Sequence, residues 1–224
     1  METAQYAPGR QVDLYGDRSD PTVLLWHGMQ TDARAAVGPL AEKLAGHRLG
    51  VVAPDWNSHA DDGGRADLVN SVAFARSLPG AAEGLLLVGW SMGAAAAAGL
   101  TLHASDFDVT LVHTVCLGGA FTARDPISGA SLSDGLRSAD VGAPFTLLHG
   151  VGDDVVPVTA SREFAAELRR AGWPVTLAEL DADHGAIAGA RYDAAADRYV
   201  PASDAPTLAV AADVAARIAA VLGR

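Results

Sequence analysis

Continuous apolar runs alternate along this chain with segments of helical spacing. The runs are "TVLLWHG" (Thr22–Gly28), "GVVAPDW" (Gly50–Trp56), "GLLLVGW" (Gly84–Trp90), "VTLVHTVCLGG" (Val109–Gly119), "FTLLHG" (Phe145–Gly150) and "VTLAELD" (Val175–Asp181). Runs without a polar face suit strands buried on both sides of a parallel sheet. Between them, "ARAAVGPLAEKLAG" (33–46), "RADLVNSVAFARSL" (Arg65–Leu78), "SMGAAAAAGLTLHA" (91–104), "TASREFAAELRRAG" (Thr159–Gly172) and "APTLAVAADVAARIAAVLG" (Ala205–Gly223) predict helices. Such alternation implies βαβ units, right-handed crossovers and helices on both faces of a largely parallel sheet. Ahead of them, the turn dipeptide Pro8-Gly9 and the alternating "QVDLYG" predict a hairpin or two edge strands.

No linker, repeat or charge block divides the 224 residues, so one α/β domain over 1–224 is expected. The net charge of -11 argues against a nucleic-acid partner, which needs a basic face. No basic-then-apolar leader opens the chain and no apolar run reaches a membrane span, so a cytoplasmic protein is expected. Arginine carries the positive charge and Lys43 is the single lysine, a composition that suggests a GC-rich bacterial source. Cys116, the one cysteine, lies in an apolar run and is expected to be a small core residue rather than a thiol nucleophile. Nothing in the pattern specifies an oligomeric state.

In parallel sheets, functional loops lie beyond the carboxyl ends of the strands. After "LLLVGW" comes Ser91, within Gly89-Trp90-Ser91-Met92-Gly93, which matches G-x-S-x-G. A sharp strand-to-helix turn there projects the hydroxyl above the sheet, and the small flanking residues let strand and helix approach. The other reading is a serine capping the next helix. After "FTLLHG" come Asp153 and Asp154, either a carboxylate able to orient a histidine or a polar turn. After "VTLAELD" comes His184, a candidate base. The order Ser…Asp…His turns three modest signals into one stronger one. Backbone N–H groups of Met92 and, after the first parallel strand, Met29 are the expected oxyanion donors, with Gln30 as the alternative to Met29.

Several residues keep open readings. Trp26, Trp56 and Trp90 near strand ends can wall an acyl pocket or fill the core, and Trp90, Gln30 and Trp56 are the pocket candidates. His27 is expected to fix its loop rather than act chemically. Asp55, His59, Asp61 and Asp62 lie in a polar loop without trustworthy metal-ligand spacing, and can form a pocket rim. His103 and His113 are expected to be structural. No G-x-G-x-x-G or P-loop suggests a nucleotide.

The stretches "LLWHGMQ", "GWSMG", "HGVGDDVVP" and "DADHG", in this order, resemble the α/β-hydrolase family, in particular its small serine esterases and dienelactone-hydrolase-like members. The resemblance runs from about Val12 to the end. It implies a triad of Ser91, Asp153 and His184, with Asp154 at the variable position of HG-x-x-D-x-x-V-P, and a chemistry without cofactor or metal. Two departures stand out: serine occupies the position of the dienelactone hydrolases' cysteine, and "HGMQ" lacks the HGGG loop of many lipases. The segment after Gly119 must hold a crossover, which needs about a dozen residues. Little is left for a lid, so an open site with little or no cap is expected. "IAGARYDAAADRYVPASD" (Ile187–Asp204) is read as a surface excursion, with a small hairpin over the site as the alternative. The function so expected is hydrolysis of small carboxylic esters or thioesters through an acyl-enzyme. Acyl transfer, amide or peptide hydrolysis and cofactor-free perhydrolysis remain on the same triad. A non-catalytic binding protein of this fold is the alternative of another class.

Overall fold

The computed structural model describes residues 1–224. The opening turn at Pro8-Gly9 joins β1 (Glu2–Ala7) and β2 (Arg10–Tyr15) as an antiparallel hairpin. The apolar runs become β3 (Thr22–Trp26), β4 (Gly50–Pro54), β5 (Leu85–Trp90), β6 (Leu111–Leu117), β7 (Phe145–Gly150) and β8 (Val175–Leu180). One sheet forms in the order β1-β2-β4-β3-β5-β6-β7-β8. All neighbours from β4 to β8 are parallel, and β2 meets β4 antiparallel.

The helices are α1 (Gly38–Gly46), α2 (Arg65–Arg76), α3 (Met92–Leu102), α4 (Leu132–Ser138), α5 (Val158–Arg170) and α6 (Ala205–Ala220). Strand period two explains why every residue of β3 and β5 is apolar or small and buried. Val23, Leu25, Leu86, Val88 and Trp90 pack with Leu40 and Leu44 of α1 and Val214 and Ile218 of α6. Leu24, Trp26, Leu85 and Leu87 face the opposite way, toward Leu68 and Val72 of α2 and Ala96 and Leu100 of α3. A third cluster joins α3, α4 and α5 over Phe145 and Leu147. Alternation within one run thus feeds two separate cores.

The alanines of α3 serve this packing. Gly93 through Leu102 are all buried, and short side chains let the helix lie close on β5 and β6. Cys116 of β6 sits beneath, its Sγ 3.6 Å from the Ala94 carbonyl. Burial pushes its thiol pKa up, away from thiolate chemistry, as a core residue requires.

Two segments need comment. The crossover after Gly119 contains α4, which packs against α3 and α5 on the sheet's flank and so forms part of the βαβ connection. Residues 187–204 are not a plain excursion: β9 (Ala190–Asp193) and β10 (Arg198–Pro201) pair antiparallel as a separate hairpin. Asp193 accepts hydrogen bonds from the Ala195 and Ala196 N–H groups and thereby closes its turn. No helix is long and apolar enough to cross a membrane.

Candidate active site

The parallel register brings the carboxyl ends of β3, β5, β6, β7 and β8 to one edge of the sheet. Ser91 stands there between β5 and α3 with φ +57° and ψ −117°. This conformation is sparsely populated for a residue with a Cβ and typically costs about 1–3 kcal/mol. Surrounding contacts over-determine it. The Ser91 N–H donates to the Leu117 carbonyl at 2.9 Å, and the Ser91 carbonyl accepts from Ala94 and Ala120 N–H groups. The flanking glycines leave no room for a side chain unless their neighbours shift. A Cβ at Gly93 would lie 2.6 Å from the Trp26 carbonyl oxygen and closer still to that of His27. One at Gly89 would lie 2.7 Å from the Ala94 nitrogen and would overlap the Gly93 carbonyl. The Ser91 side chain makes no capping hydrogen bond, so the capping alternative is not realised.

Asp153 follows β7. Its side chain is buried, and Oδ1 accepts from the Val155 N–H at 3.0 Å and the Val156 N–H at 2.8 Å. Oδ2 accepts from His184 Nδ1 at 2.7 Å. Asp154 is exposed and hydrogen-bonds to neither nearby histidine. Burial alone would raise the Asp153 pKa, but hydrogen bonds from His149, His184 and the Val156 N–H outweigh it and hold the carboxyl well below its usual range.

His184, beyond β8, is 2% exposed. The Trp90 indole N–H donates to its carbonyl at 2.8 Å, and the Trp90 ring lies 5.4 Å from the imidazole. Gly118, at φ +51°, leaves room for the pair: a Cβ there would stand 3.1 Å from Asp153 Oδ2 and 3.4 Å from His184 Nδ1. Its neighbour Leu117 receives the Ser91 N–H, so the serine and the Asp–His pair share one stretch of backbone. Ser91 Oγ and His184 Nε2 have no intramolecular hydrogen bond. Links of this kind often tighten only when substrate binds.

The loop after β3 passes over the serine: a Cβ at Gly28 would lie 3.2 Å from Ser91 Cβ. His27 anchors this loop, as expected. Its Nε2 accepts from the Trp56 N–H at 3.2 Å and the Ala33 N–H at 3.3 Å, while Nδ1 donates to the Gly28 carbonyl at 2.7 Å. Two donors on Nε2 require the neutral ring, and burial pushes the pKa down to about 4. Gln30 anchors the other end. Its Oε1 accepts from the Tyr199 N–H at 2.8 Å, and its Nε2 donates to the Tyr199 carbonyl at 3.4 Å. Between these anchors Met29 is 57% exposed, and its N–H bonds to no protein group. Met92 opens α3, where the first N–H groups have no intrahelical acceptor.

A cavity of about 220 Å³ adjoins both methionines and is also lined by Ser58, Asp62, Arg124 and Pro126. Its walls differ from those expected. Trp56 and Trp90 are buried because their strand-end positions point into the core, where their indoles hold the carbonyls of His27 and His184. Gln30 is engaged with Tyr199. Of the polar loop after β4, Asp62 does reach the rim, with Ser58 beside it. A larger cavity of about 390 Å³, near Ser19, Glu83 and Arg224, opens at the opposite end of the strands. No group of three or more His, Cys, Asp or Glu side chains is arranged to hold a metal ion.

Two neighbours of the site escaped sequence reading. His149, fully buried, stands with Nε2 3.3 Å from Asp153 Oδ2 and 2.9 Å from the Val156 carbonyl. Both are acceptors, so Nε2 carries a proton and pins the carboxylate from behind. A histidine closing a buried strand four positions before the acid was the available signal. Tyr199 of β10 packs its ring 5.8 Å from His184 and 5.0 Å from Trp90, and no local pattern announces that contact.

No protein-family model and no curated protein matches the chain. Similar solved structures do exist. The apo form of esterase 2 from Thermogutta terrifontis superposes with a TM-score of 0.75 at 17% identity, over 99% of this chain and 94% of that one. Its butyrate-bound form gives 0.72 at 16%, with the same coverage of both chains. An esterase from Pyrococcus furiosus gives 0.62 at 19%, over 82% of this chain and 81% of the other. Sheet order, crossovers and these superpositions agree: the chain has the α/β-hydrolase fold.

Proposed function

We propose that the chain is a serine hydrolase of small carboxylic esters or thioesters, with Ser91 as nucleophile, His184 as base and Asp153 as the acid that orients it. One observation carries this reading. A serine held at φ +57° with an uncapped hydroxyl stands at the same sheet edge as a buried histidine bonded at 2.7 Å to a buried aspartate. With the Nδ1 proton donated to Asp153, Nε2 of His184 is left as the acceptor. It takes the Ser91 proton as Oγ attacks the carbonyl carbon. The carbonyl oxygen gains the negative charge, which the Met29 and Met92 N–H groups and the N-terminus of α3 stabilise. His184 then protonates the departing alcohol or thiol, and the acyl group stays on Ser91. Water, deprotonated by the same histidine, attacks the acyl-enzyme, releases the acid and restores Ser91. Asp153 remains ionised throughout and stabilises the imidazolium, in keeping with its depressed pKa.

Esterases among the similar structures support the same reading. The Thermogutta enzyme is known with butyrate bound and phosphorylated by paraoxon. The acidic balance favours a small-molecule substrate over a nucleic acid. Incubation with a fluorescent fluorophosphonate is the direct test. Wild type is expected to be labelled and to hydrolyse p-nitrophenyl acetate, and Ser91→Ala to do neither. Equal labelling of the two proteins would refute the assignment.

A further inference from the structure

His149 is a buried ionisable side chain that the proposed reaction does not call on. It lies near the end of β7 and has no exposed surface. Nε2 stands 2.9 Å from the Val156 carbonyl and 3.3 Å from Asp153 Oδ2. Neither a carbonyl nor a carboxylate has a proton to give, so the proton between them belongs to the ring. Nδ1 lies 2.6 Å from Ser161 Oγ on α5, and that hydroxyl donates to it when the ring is neutral. Both ring nitrogens are therefore partnered, and the tautomer is set from both ends.

The contact falls on the oxygen that orients His184. Asp153 Oδ2 also accepts the His184 Nδ1 proton at 2.7 Å, while Oδ1 is occupied by the Val155 and Val156 N–H groups. The carboxylate is gripped at both oxygens and has little freedom to turn away from His184. His149 serves this grip in two ways. It holds the Val156 carbonyl, and with it the turn whose N–H groups fix Oδ1. Its Nε2 proton also lies beside Oδ2 and offsets part of the negative charge that His184 meets. A histidine that only filled the core would be satisfied by Val156 and Ser161; here the third neighbour is the acid itself.

Resting on the hydrolase reading above, we infer that His149 is a positioning residue for the triad: through its Nε2 proton it holds Asp153 and the 153–156 turn in the orientation that aligns His184, and it tempers the pull of the carboxylate on the imidazolium. Without that proton the acid is looser and Oδ2 carries more charge. A looser acid misplaces the base, which lowers kcat about ten- to a hundredfold. KM changes little, because a ring with no exposed surface does not touch substrate. More charge on Oδ2 stabilises the His184 imidazolium, so the acid limb of kcat/KM moves to higher pH by about half a unit or more. The other ionisable groups around the pair are Asp154 and Asp183 beside them in sequence, Glu179 opposite His149 on β8 and bridged to Arg162 of α5, and Tyr199 of β10. Carboxylates titrate below this limb, and burial and nearby carboxylates push Tyr199 up to about 12, so none of them mimics the shift.

The test compares His149→Leu, which has no proton to offer, with His149→Gln, whose side-chain amide reaches the Nε2 position. Fluorophosphonate labelling taken to completion counts the reactive serines, so kcat on p-nitrophenyl acetate is expressed per active site and misfolded protein is discounted. His149→Leu should lose kcat at least about tenfold, keep KM within about twofold and raise the acid limb, and His149→Gln should restore kcat and limb together. A role in folding alone predicts fewer active sites, each with wild-type kcat and pH profile. Should the leucine variant not fold, His149→Asn takes its place, because its amide overlays Nδ1, keeps Ser161 and falls short of Asp153. Histidine ring-nitrogen NMR of wild type, assigned with His149→Gln, gives a check without turnover: Nε2 of His149 should carry a proton. A ring protonated on Nδ1 alone, wild-type kcat per site without His149, an acid limb that stays or falls, or a glutamine variant no better than leucine overturns the inference. Wild type separates the two failures. If it is labelled at Ser91 and hydrolyses the ester, only the role of His149 falls; if it does neither, the hydrolase reading falls and the positioning role with it.

Discussion

Lowering the pH from 7 to 5 probes the anchor of the loop that follows β3. His27 is completely buried and accepts two backbone N–H groups on Nε2, an arrangement open only to the neutral ring. Its pKa falls from 6.5 to about 4, chiefly through burial. In the unfolded chain the same ring protonates near 6.5, so between 6.5 and 4 the unfolded state binds the extra proton. Stability is therefore complete above about 6.5, falls as the pH drops toward 4, and levels off below. At about 1.4 kcal/mol per pH unit for one proton, His27 alone removes about 2 kcal/mol between pH 7 and 5. His113, whose pKa is also lowered by burial, adds in the same direction. Carboxyls held low, such as Asp153, lose their contribution only below the ordinary carboxylate range and so stay out of this window. Urea unfolding at pH 7, 6 and 5 reads the effect as a falling midpoint at constant slope. Ring nitrogen NMR supplies a check free of other groups: at pH 5, His27 should remain neutral with its proton on Nδ1. A His27 ring that titrates near 6.5, or a stability flat from pH 7 to 5, would refute the reasoning.

Other expectations concern the site directly. On the proposed triad, Asp153→Asn should lower kcat on p-nitrophenyl acetate on the order of 10³- to 10⁴-fold, because an amide no longer holds the imidazole in the required tautomer. Near-wild-type turnover would remove Asp153 from the mechanism. Gly93→Ala pushes a methyl against the Trp26 and His27 carbonyls and should cost about 1–3 kcal/mol, measurable as a lower thermal midpoint. An unchanged midpoint would mean that the elbow is less tightly packed than described. Gln30→Leu breaks both bonds to Tyr199 and loosens the Met29 N–H. It should reduce kcat about tenfold and weaken binding of a trifluoromethyl ketone in parallel, whereas activity loss with unaltered ketone affinity would contradict an oxyanion-loop role.

Much of the site was legible because its signals are local. A buried run such as "LLLVG" followed by serine, methionine and glycine specifies a strand, a tight turn and a helix within a dozen residues. Ser91 at φ +57° and the overlaps at Gly89 and Gly93 are the physical content of that spacing. His184 and Asp153 were legible one step further, through the rule that parallel strands collect their carboxyl ends at one edge. The choice of Asp153 over Asp154 needed the family-like pattern, and the buried bond to His184 agrees with it. Trp56 and Trp90 misled as pocket walls because an aromatic at a strand end faces the core or the cleft according to strand period and loop path, not residue type. The hairpin at 190–201, the alternative reading of that segment, ranked below a surface excursion because two short, half-polar strands differ little from a loop until they pair.

The sequence by itself determined the strand–helix alternation, the strained serine turn and the residue types awaiting it at later strand ends. These depend on backbone preference and periodic burial, which act over a few residues. Only the tertiary structure decided which distant groups hold the site in shape. Gln30 clamps Tyr199 from 169 positions away, Trp90 reaches the His184 carbonyl across 94, and Ser58 meets the methionines in one small cavity. Such contacts follow from strand order and loop path, and no short-range pattern encodes them.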